Sequence, residues 1–351
     1  MCRILRSLSI NRSRTGVVLI DCWRRYRSGK RMLSEIVGMI DRFGVFLITS
    51  HVRLDGDALG SELALYHMLT SMGKEALIYN QDESPGNYRF LPGSDTIVHR
   101  LPALERYEVV FILDCSEMER LGEEALKIAS MKRIINIDHH VSNGNFGTIS
   151  LIDPLSSSTA ELLYKLVHMM NVEITKDMAT NLYAAILTDT GGFRYRNTTR
   201  ETLVAAGHLI ERGADPQWIS ENIYESNPPS KVRLLTKVLE TLAFELDRRV
   251  GYMIVTRKSL EDAGALQEHT EGFVDIPRSI QGVEVSILFN ELSENHFKLS
   301  LRSKGRVNVE RVARMFGGGG HINAAACNMD GDIDTVKYRI LSALKGLLLD
   351  Q

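Results

Sequence analysis

Four apolar segments of this chain run straight into acidic or imidazole side chains, and that repetition limits the folds open to it. Val45-Phe46-Leu47-Ile48-Thr49-Ser50 leads into His51-Val52-Arg53-Leu54-Asp55-Gly56-Asp57, and Val109-Val110-Phe111-Ile112-Leu113 into Asp114. Arg133-Ile134-Ile135-Asn136-Ile137 leads into Asp138-His139-His140, and the stretch Leu182 to Thr188 into Asp189. Short apolar runs read as buried strands. In an open α/β sheet, functional side chains collect outside the carboxyl ends of the strands. The four segments are expected to deliver their polar tips to one edge of a sheet.

Helical patterns lie between these runs. Ala58 to Met72 places Leu59, Leu63, Leu65, Leu69 and Met72 near one face and ends at Gly73; Ala76 to Tyr79 reads as a strand. Ser158-Thr159-Ala160-Glu161 reads as a capping box opening a helix through Leu162 to Met170. The expected class is α/β: a mostly parallel sheet flanked by helices, plus a smaller α/β domain that binds substrate. Asn227-Pro228-Pro229-Ser230 marks the boundary. The catalytic domain is expected over 32–226, a linker helix over 227–246 (Lys231 to Ala243 at its centre), and the second domain over 247–351. That domain is expected to hold strands at Gly251 to Val255, Val283 to Asn290 and His296 to Arg302. Helices are expected near Val309 to Phe316 and from Ile333 to Leu349, with the run Gly317-Gly318-Gly319-Gly320-His321 between them.

Residues Met1 to Arg31 carry nine Lys or Arg and one acid, Asp21, without core periodicity. They read as a dispensable basic extension, or a start placed upstream of Met32; a transit peptide or basic arm is the alternative. No apolar run approaches the ~18 residues of a membrane span. Cys2, Cys22, Cys115 and Cys327 form no Cys-x-x-Cys pair, which argues against a disulfide framework and for a reduced cytoplasm. The net charge of −2 argues against a protein that tracks long nucleic acid, so any polyanionic substrate is expected to be short.

The chemistry follows from the donor types. Asp55 and Asp57, read as alternate residues of an extended loop, point to neighbouring positions and serve one divalent ion each. Asp114 is placed to bridge the ions, His51 sits with the first, and His139 with Asp189 completes the second. Mixed imidazole and carboxylate donors suit manganese over zinc, cobalt or iron, and disfavour magnesium. Two such ions activate water and clamp a phosphoryl group, so phosphoester hydrolysis is the expected reaction. Each Asp alone reads equally as a helix cap or turn former; the conjunction of four complementary tips carries the metal reading.

The set His51-x-x-x-Asp55-x-Asp57, Asp114, Asp138-His139-His140 and Asp189 resembles the four motifs of the DHH phosphoesterase superfamily. Ser300-Leu301-Arg302-Ser303 and the glycine run with His321, Ala324 and Ala325 are similar to the DHH-associated substrate-binding domain. From about Met32 onward, motif order and length resemble its bifunctional oligoribonucleases and 3′-phosphoadenosine-5′-phosphate phosphatases. The resemblance implies two metal ions: one on His51, Asp55 and Asp114, the other on Asp57, Asp114, His139 and Asp189. It implies that His140 faces the scissile phosphate and that Asp138 orients the histidines. Substrate-binding roles fall to Arg302, Ser303, Gly317, Gly318, Gly319, Gly320 and His321, whose glycine amides can cradle an anion. Arg302, Lys304, Arg306, Arg311 and Arg314 add a local basic cluster, and a flexible turn beside a solvated helix is the plain alternative. Arg194, in Gly191-Gly192-Phe193-Arg194-Tyr195, is a further substrate-binding candidate. Cys115 reads as a packing residue. Ala326 departs from the family pattern, which has glycine there.

The expected activity is hydrolysis of short single-stranded RNA to nucleoside 5′-monophosphates and of 3′-phosphoadenosine 5′-phosphate to AMP, with manganese as cofactor. Neither a membrane nor long duplex nucleic acid is an expected partner. Competing readings are a linear or cyclic dinucleotide phosphodiesterase, a single-strand exonuclease, a manganese pyrophosphatase, and a non-catalytic nucleotide-binding protein on the same fold.

Overall fold

The first helix, α1 (Thr15–Arg42), packs Ile36 and Ile40 into the core in the computed structural model, which describes residues 15–349. The basic-extension reading of Met1–Arg31 therefore falls partly outside the described residues, and from Thr15 onward the segment belongs to one helix that continues past Met32. The chain divides into two compact units, one ending at Ile219 and one beginning at Ser220, with His140–Ser142 grouped with the second.

In the first unit α1 is followed by β1 (Val45–Thr49), α2 (Gly56–Ser71), β2 (Glu75–Ile78), β3 (Val109–Leu113), α3 (Ala125–Ala129), β4 (Ile134–Asp138) and β5 (Ile149–Ile152). Helices α4 (Thr159–Met169), α5 (Lys176–Asp189), α6 (Arg200–Glu211) and α7 (Pro216–Ser220) complete the run. The five strands are all parallel, in the order β2-β1-β3-β4-β5. Every residue of β3 and β4 is buried, which is why these strands read as unbroken apolar runs rather than alternating ones. The strand order reverses between β1 and β3: β2 lies on one side of β1, and the chain then crosses to the other. In open α/β sheets such a switch point is where backbones diverge and ligands bind outside the carboxyl ends.

One expectation is corrected. Leu182 to Thr188 is not a strand but the second half of α5, and Asp189 is its last residue. Every residue from Met178 to Leu187 is buried, so the helix lacks the polar face that marks amphipathic helices in a sequence. It packs on α2, itself buried from Gly56 to Leu65. Gly60 permits the approach, because a Cβ there would collide with the carbonyl of Asn181.

The second unit contains α8 (Pro229–Leu239), β6 (Ala243–Glu245), β7 (Val250–Val255), α9 (Arg257–Ala263), α10 (Asp275–Ser279), β8 (Val285–Ser293) and β9 (His296–Ser303). It ends with α11 (Val309–Arg314), β10 (Gly319–His321), β11 (Ala324–Asp330) and α12 (Ile333–Leu349). Its sheet runs β10-β11-β9-β8-β7-β6, with only β7 and β8 parallel. Val336, Ile340, Leu344 and Leu348 recur every fourth residue of α12 and bury one stripe in the core with Ile287, Leu299 and Leu301. The connecting helix starts at Pro229, a favoured first helical residue, and stops at Leu239; Ala243 already belongs to β6. The glycine run contributes the edge strand β10, with Gly319 paired to Ala326. Gly318 lies so close to the Ala326 carbonyl that no side chain fits there.

Candidate metal centre

Helix capping, strand ends and a left-handed turn bring the acidic tips of the first unit together. His51 follows β1, and its Nδ1 lies 2.8 Å from the Val52 carbonyl. A carbonyl only accepts, so Nδ1 carries the proton and Nε2 keeps its lone pair. That Nε2 is 3.5 Å from Asp114 Oδ2 and 3.9 Å from Asp55 Oδ2. Asp55 does two jobs: Oδ1 caps α2, accepting from the amides of Asp57 and Ala58, while Oδ2 faces His51. Asp57 already lies in the first turn of α2, so Asp55 and Asp57 are not the alternate residues of an extended loop that their spacing suggests.

Asp57 points to a second group. Its carboxylate accepts from the backbone amides of Thr159 and Ala160 at 2.7 and 3.1 Å, and from Ser61 Oγ at 3.2 Å. The free amides at the start of α4 thereby hold an anion, as helix N-termini do. His139 lies just past β4, and its Nδ1 faces the Ser156 carbonyl at 3.3 Å, which again leaves Nε2 as the donor atom. Nε2 is 3.6 Å from Asp57 Oδ2, 3.6 Å from Asp114 Oδ1 and 3.5 Å from Asp189 Oδ2.

Asp114 is common to both groups, with one carboxylate oxygen toward each. Its amide makes the last bond to the Ile137 carbonyl, and its backbone then turns left-handed at φ 52°. Non-glycine residues seldom adopt this conformation, and where they do the strain clusters at functional sites. The turn swings the side chain away from the direction a strand would give it, and Thr159 Oγ1 holds it through a 3.0 Å bond to Oδ1.

These separations fit a divalent cation. The imidazole–carboxylate distances exceed those of real hydrogen bonds, yet donors about 2.1 Å from a shared ion lie roughly 3.0–3.4 Å apart, close to the distances seen. The ligand atoms of His51, Asp55 and Asp114 lie within 4.8 Å of one another, as do those of Asp57, Asp114 and His139. The electrostatics agree. Burial, then Asp55, pushes Asp57 up to about 7. Burial, then the charges of Asp57, Asp55, Asp138 and Asp189, raises Asp114 well above the usual carboxylate range. Buried like charges of this kind call for a cation.

The remaining candidates divide by unit. Asp138 ends β4; it accepts from the His139 amide at 2.8 Å and from Asn143 Nδ2 at 2.6 Å. His140 follows directly and is buried. Arg194 turns back on its own loop, with Nε donating to the Gly191 carbonyl at 2.5 Å. In the second unit Arg302 lies on β9 opposite Ala324, and His321 ends β10 opposite the same residue. Ser303 is buried, and its hydroxyl donates to Asn323 Oδ1 at 3.0 Å, so in this structure it braces the turn between β10 and β11. Cys115 is a buried packing residue whose thiol burial pushes up to about 12.

Sequence reasoning missed the supports. Thr159 was visible only as part of a helix start, and the capping box itself is half formed: Ser158 caps Glu161, but the Glu161 carboxylate accepts from Ser157 and Thr202 instead. Asn143 is linked to Asp138, and Asn197 Nδ2 reaches both the carbonyl and the carboxylate of Asp189. Polar residues on loops carry no periodic signal, so nothing local marked them.

A parallel sheet that gathers paired His/Asp groups at its switch point defines an α/β domain whose donors could hold metal ions. Residues 45–186 match the DHH family, N-terminal domain, and residues 250–348 match the DHHA1 domain. The chain belongs to the DHH family of phosphoesterases and is NrnA-like. It is 35% identical to the bifunctional oligoribonuclease and PAP phosphatase NrnA of Thermus thermophilus, over 92% of this chain and 95% of that one. The protein of the same name from Bacillus subtilis is 26% identical, over 85% of this chain and 93% of its own. Among solved structures, an exopolyphosphatase-related protein from Bacteroides fragilis superposes with a TM-score of 0.84 at 30% identity, covering 92% of this chain and 98% of that one. Among the described residues no helix is long and apolar enough to cross a membrane.

Proposed function

We propose that this protein is a manganese-dependent phosphoesterase that trims short oligoribonucleotides to nucleoside 5′-monophosphates and removes the 3′-phosphate of 3′-phosphoadenosine 5′-phosphate. The observation that carries the reading is Asp114, which presents one oxygen to each of two His/Asp groups. The activities named for the Thermus and Bacillus relatives support the choice of substrates.

His51, Asp55 and Asp114 would hold one ion, and Asp57, Asp114, His139 and Asp189 the other. Bound there, the ions would supply an activated water and neutralise charge on the phosphoryl oxygens. The protein's own part is to fix the donors. The carbonyls of Val52 and Ser156 hold both imidazoles in the tautomer that leaves Nε2 available. The α4 amides hold Asp57, and Thr159 holds Asp114. Asn143 and the His139 amide fix Asp138, which orients the Asp138-His139-His140 turn. His140 would contact the scissile phosphate, and Arg302, the glycine run and His321 would bind the nucleotide. A diester and a monoester present the same phosphoryl centre and differ in the leaving group, so one centre serves both.

The test is a matched panel of di- to pentaribonucleotides, 3′-phosphoadenosine 5′-phosphate, cyclic dinucleotides and pyrophosphate, with manganese, magnesium or excess chelator. Short RNA and the bisphosphate should be turned over fastest, with manganese best and chelator abolishing activity. Full activity in chelator would remove the metal mechanism, and faster turnover of pyrophosphate or cyclic dinucleotides would reassign the substrate.

A further inference from the structure

We propose that Glu62 is a positioning residue for the metal centre, acting through Asn80 and Ser50 on the strand ends that present His51 and Asp114. The proposal rests on the metal reading above.

Glu62 lies on α2 and is wholly buried. Its Oε2 accepts from Asn80 Nδ2 at 2.8 Å. Asn80 Oδ1 in turn accepts from the Ser50 amide at 3.3 Å, and Ser50 Oγ donates to the Leu113 carbonyl at 2.7 Å. Asn80 and Ser50 are themselves buried. The chain of bonds therefore ties α2 and the segment after β2 to the carboxyl ends of β1 and β3, where the parallel ladder stops and the backbones part. Ser50 immediately precedes His51, and Leu113 immediately precedes Asp114. The 3.5 Å separation of those two side chains depends on the ends this chain ties together.

Glu62 decides which way the Asn80 amide faces. An acceptor at Glu62 turns Nδ2 toward α2 and so leaves Oδ1 for the Ser50 amide; an apolar residue at 62 would strand a buried NH₂ and remove the reason for that orientation. Glu62 needs no charge for this. Its Oε1 is buried with no hydrogen-bond partner among the described residues, and burial pushes the acid up to about 8, which favours the neutral form. Glutamine is isosteric with that neutral acid and keeps an acceptor oxygen for Asn80.

The experiment compares Glu62→Leu and Glu62→Gln with the wild type by Mn²⁺ calorimetry on metal-free protein, by kinetics on a dinucleotide, and by the His51 imidazole resonances. Glu62→Leu should weaken Mn²⁺ binding about tenfold or more, shift the His51 resonances and lower kcat with little change in KM. Glu62→Gln should restore all three to within about twofold. If leucine prevents folding, Glu62→Met, which is also unable to accept, replaces it. Wild-type Mn²⁺ affinity and kcat in a folded Glu62→Leu or Glu62→Met variant would overturn the proposal, as would equal losses in Glu62→Gln. Failure of the wild type itself to bind Mn²⁺ would instead overturn the metal reading.

Discussion

Asp114→Asn is the most demanding perturbation of this molecule, because a single atom exchange removes a charged ligand from both His/Asp groups at once. Asparagine keeps the shape and an oxygen that can accept from Thr159 Oγ1. If each lost charge-assisted contact is worth about 2 kcal/mol, the two together withdraw about 4 kcal/mol, or roughly 10³-fold in turnover. Asp55→Asn loses one such contact and still caps α2 through its side-chain oxygen, so its loss should be near thirtyfold. Stability should move the other way. Burial and four neighbouring carboxylates raise Asp114 well above its ordinary range, so its ionisation opposes the fold of the metal-free protein as pH rises. Metal-free Asp114→Asn should therefore melt at or above the wild-type temperature at neutral pH. The assay pairs Mn²⁺ calorimetry and dinucleotide turnover with metal-free thermal melting. A folded Asp114→Asn protein with near-normal turnover would refute the shared-ligand reasoning, and a loss no greater than that of Asp55→Asn would show that only one group depends on Asp114.

Three further outcomes are expected. Arg302→Ala and His321→Ala, both in the second unit, should leave Mn²⁺ affinity intact and lower kcat/KM about ten- to a hundredfold, the value of a charge-assisted contact of roughly 1.5–3 kcal/mol; unchanged kinetics in both would return substrate choice to the first unit. Glu62→Gln should flatten the dependence of stability on pH: burial lifts the acid from 4.5 to about 8, so the folded wild type retains a proton that the unfolded chain releases. Wild-type stability is thus fullest below the lower value and falls toward the upper one, and denaturant unfolding should show the variant gaining about 1.4 kcal/mol per pH unit across that window; parallel profiles would contradict this. A chain starting at Met32 keeps Ile36 and Ile40, two buried residues of α1, and should melt within a few degrees of the full chain with unchanged turnover; a large drop in either would show that the earlier turns of α1 support the fold.

What the sequence determined by itself is whatever local physics writes into contiguous residues. Strands β3 and β4 are legible because burial on both faces makes five-residue apolar runs, and the polar residues ending them announce a carboxyl edge. Helix α12 is legible because its apolar residues recur every four positions. The metal-ligand candidates were legible as types in order, since Asp and His at strand tips need only proximity in the chain to be noticed. Tertiary structure decided the rest, because it depends on residues distant in sequence. Asp189 looked like a strand tip, yet a helix buried on every side presents it. Asp114 turns left-handed at a strand end, which no composition records. Asp57 is held by amides about a hundred residues later in the chain, at the start of α4. Glu62 reads in sequence as an ordinary polar residue on a helix. Only packing removes it from water, favours its neutral form and joins it to Asn80, because desolvation and hydrogen-bond satisfaction belong to the assembled interior and not to any stretch of chain.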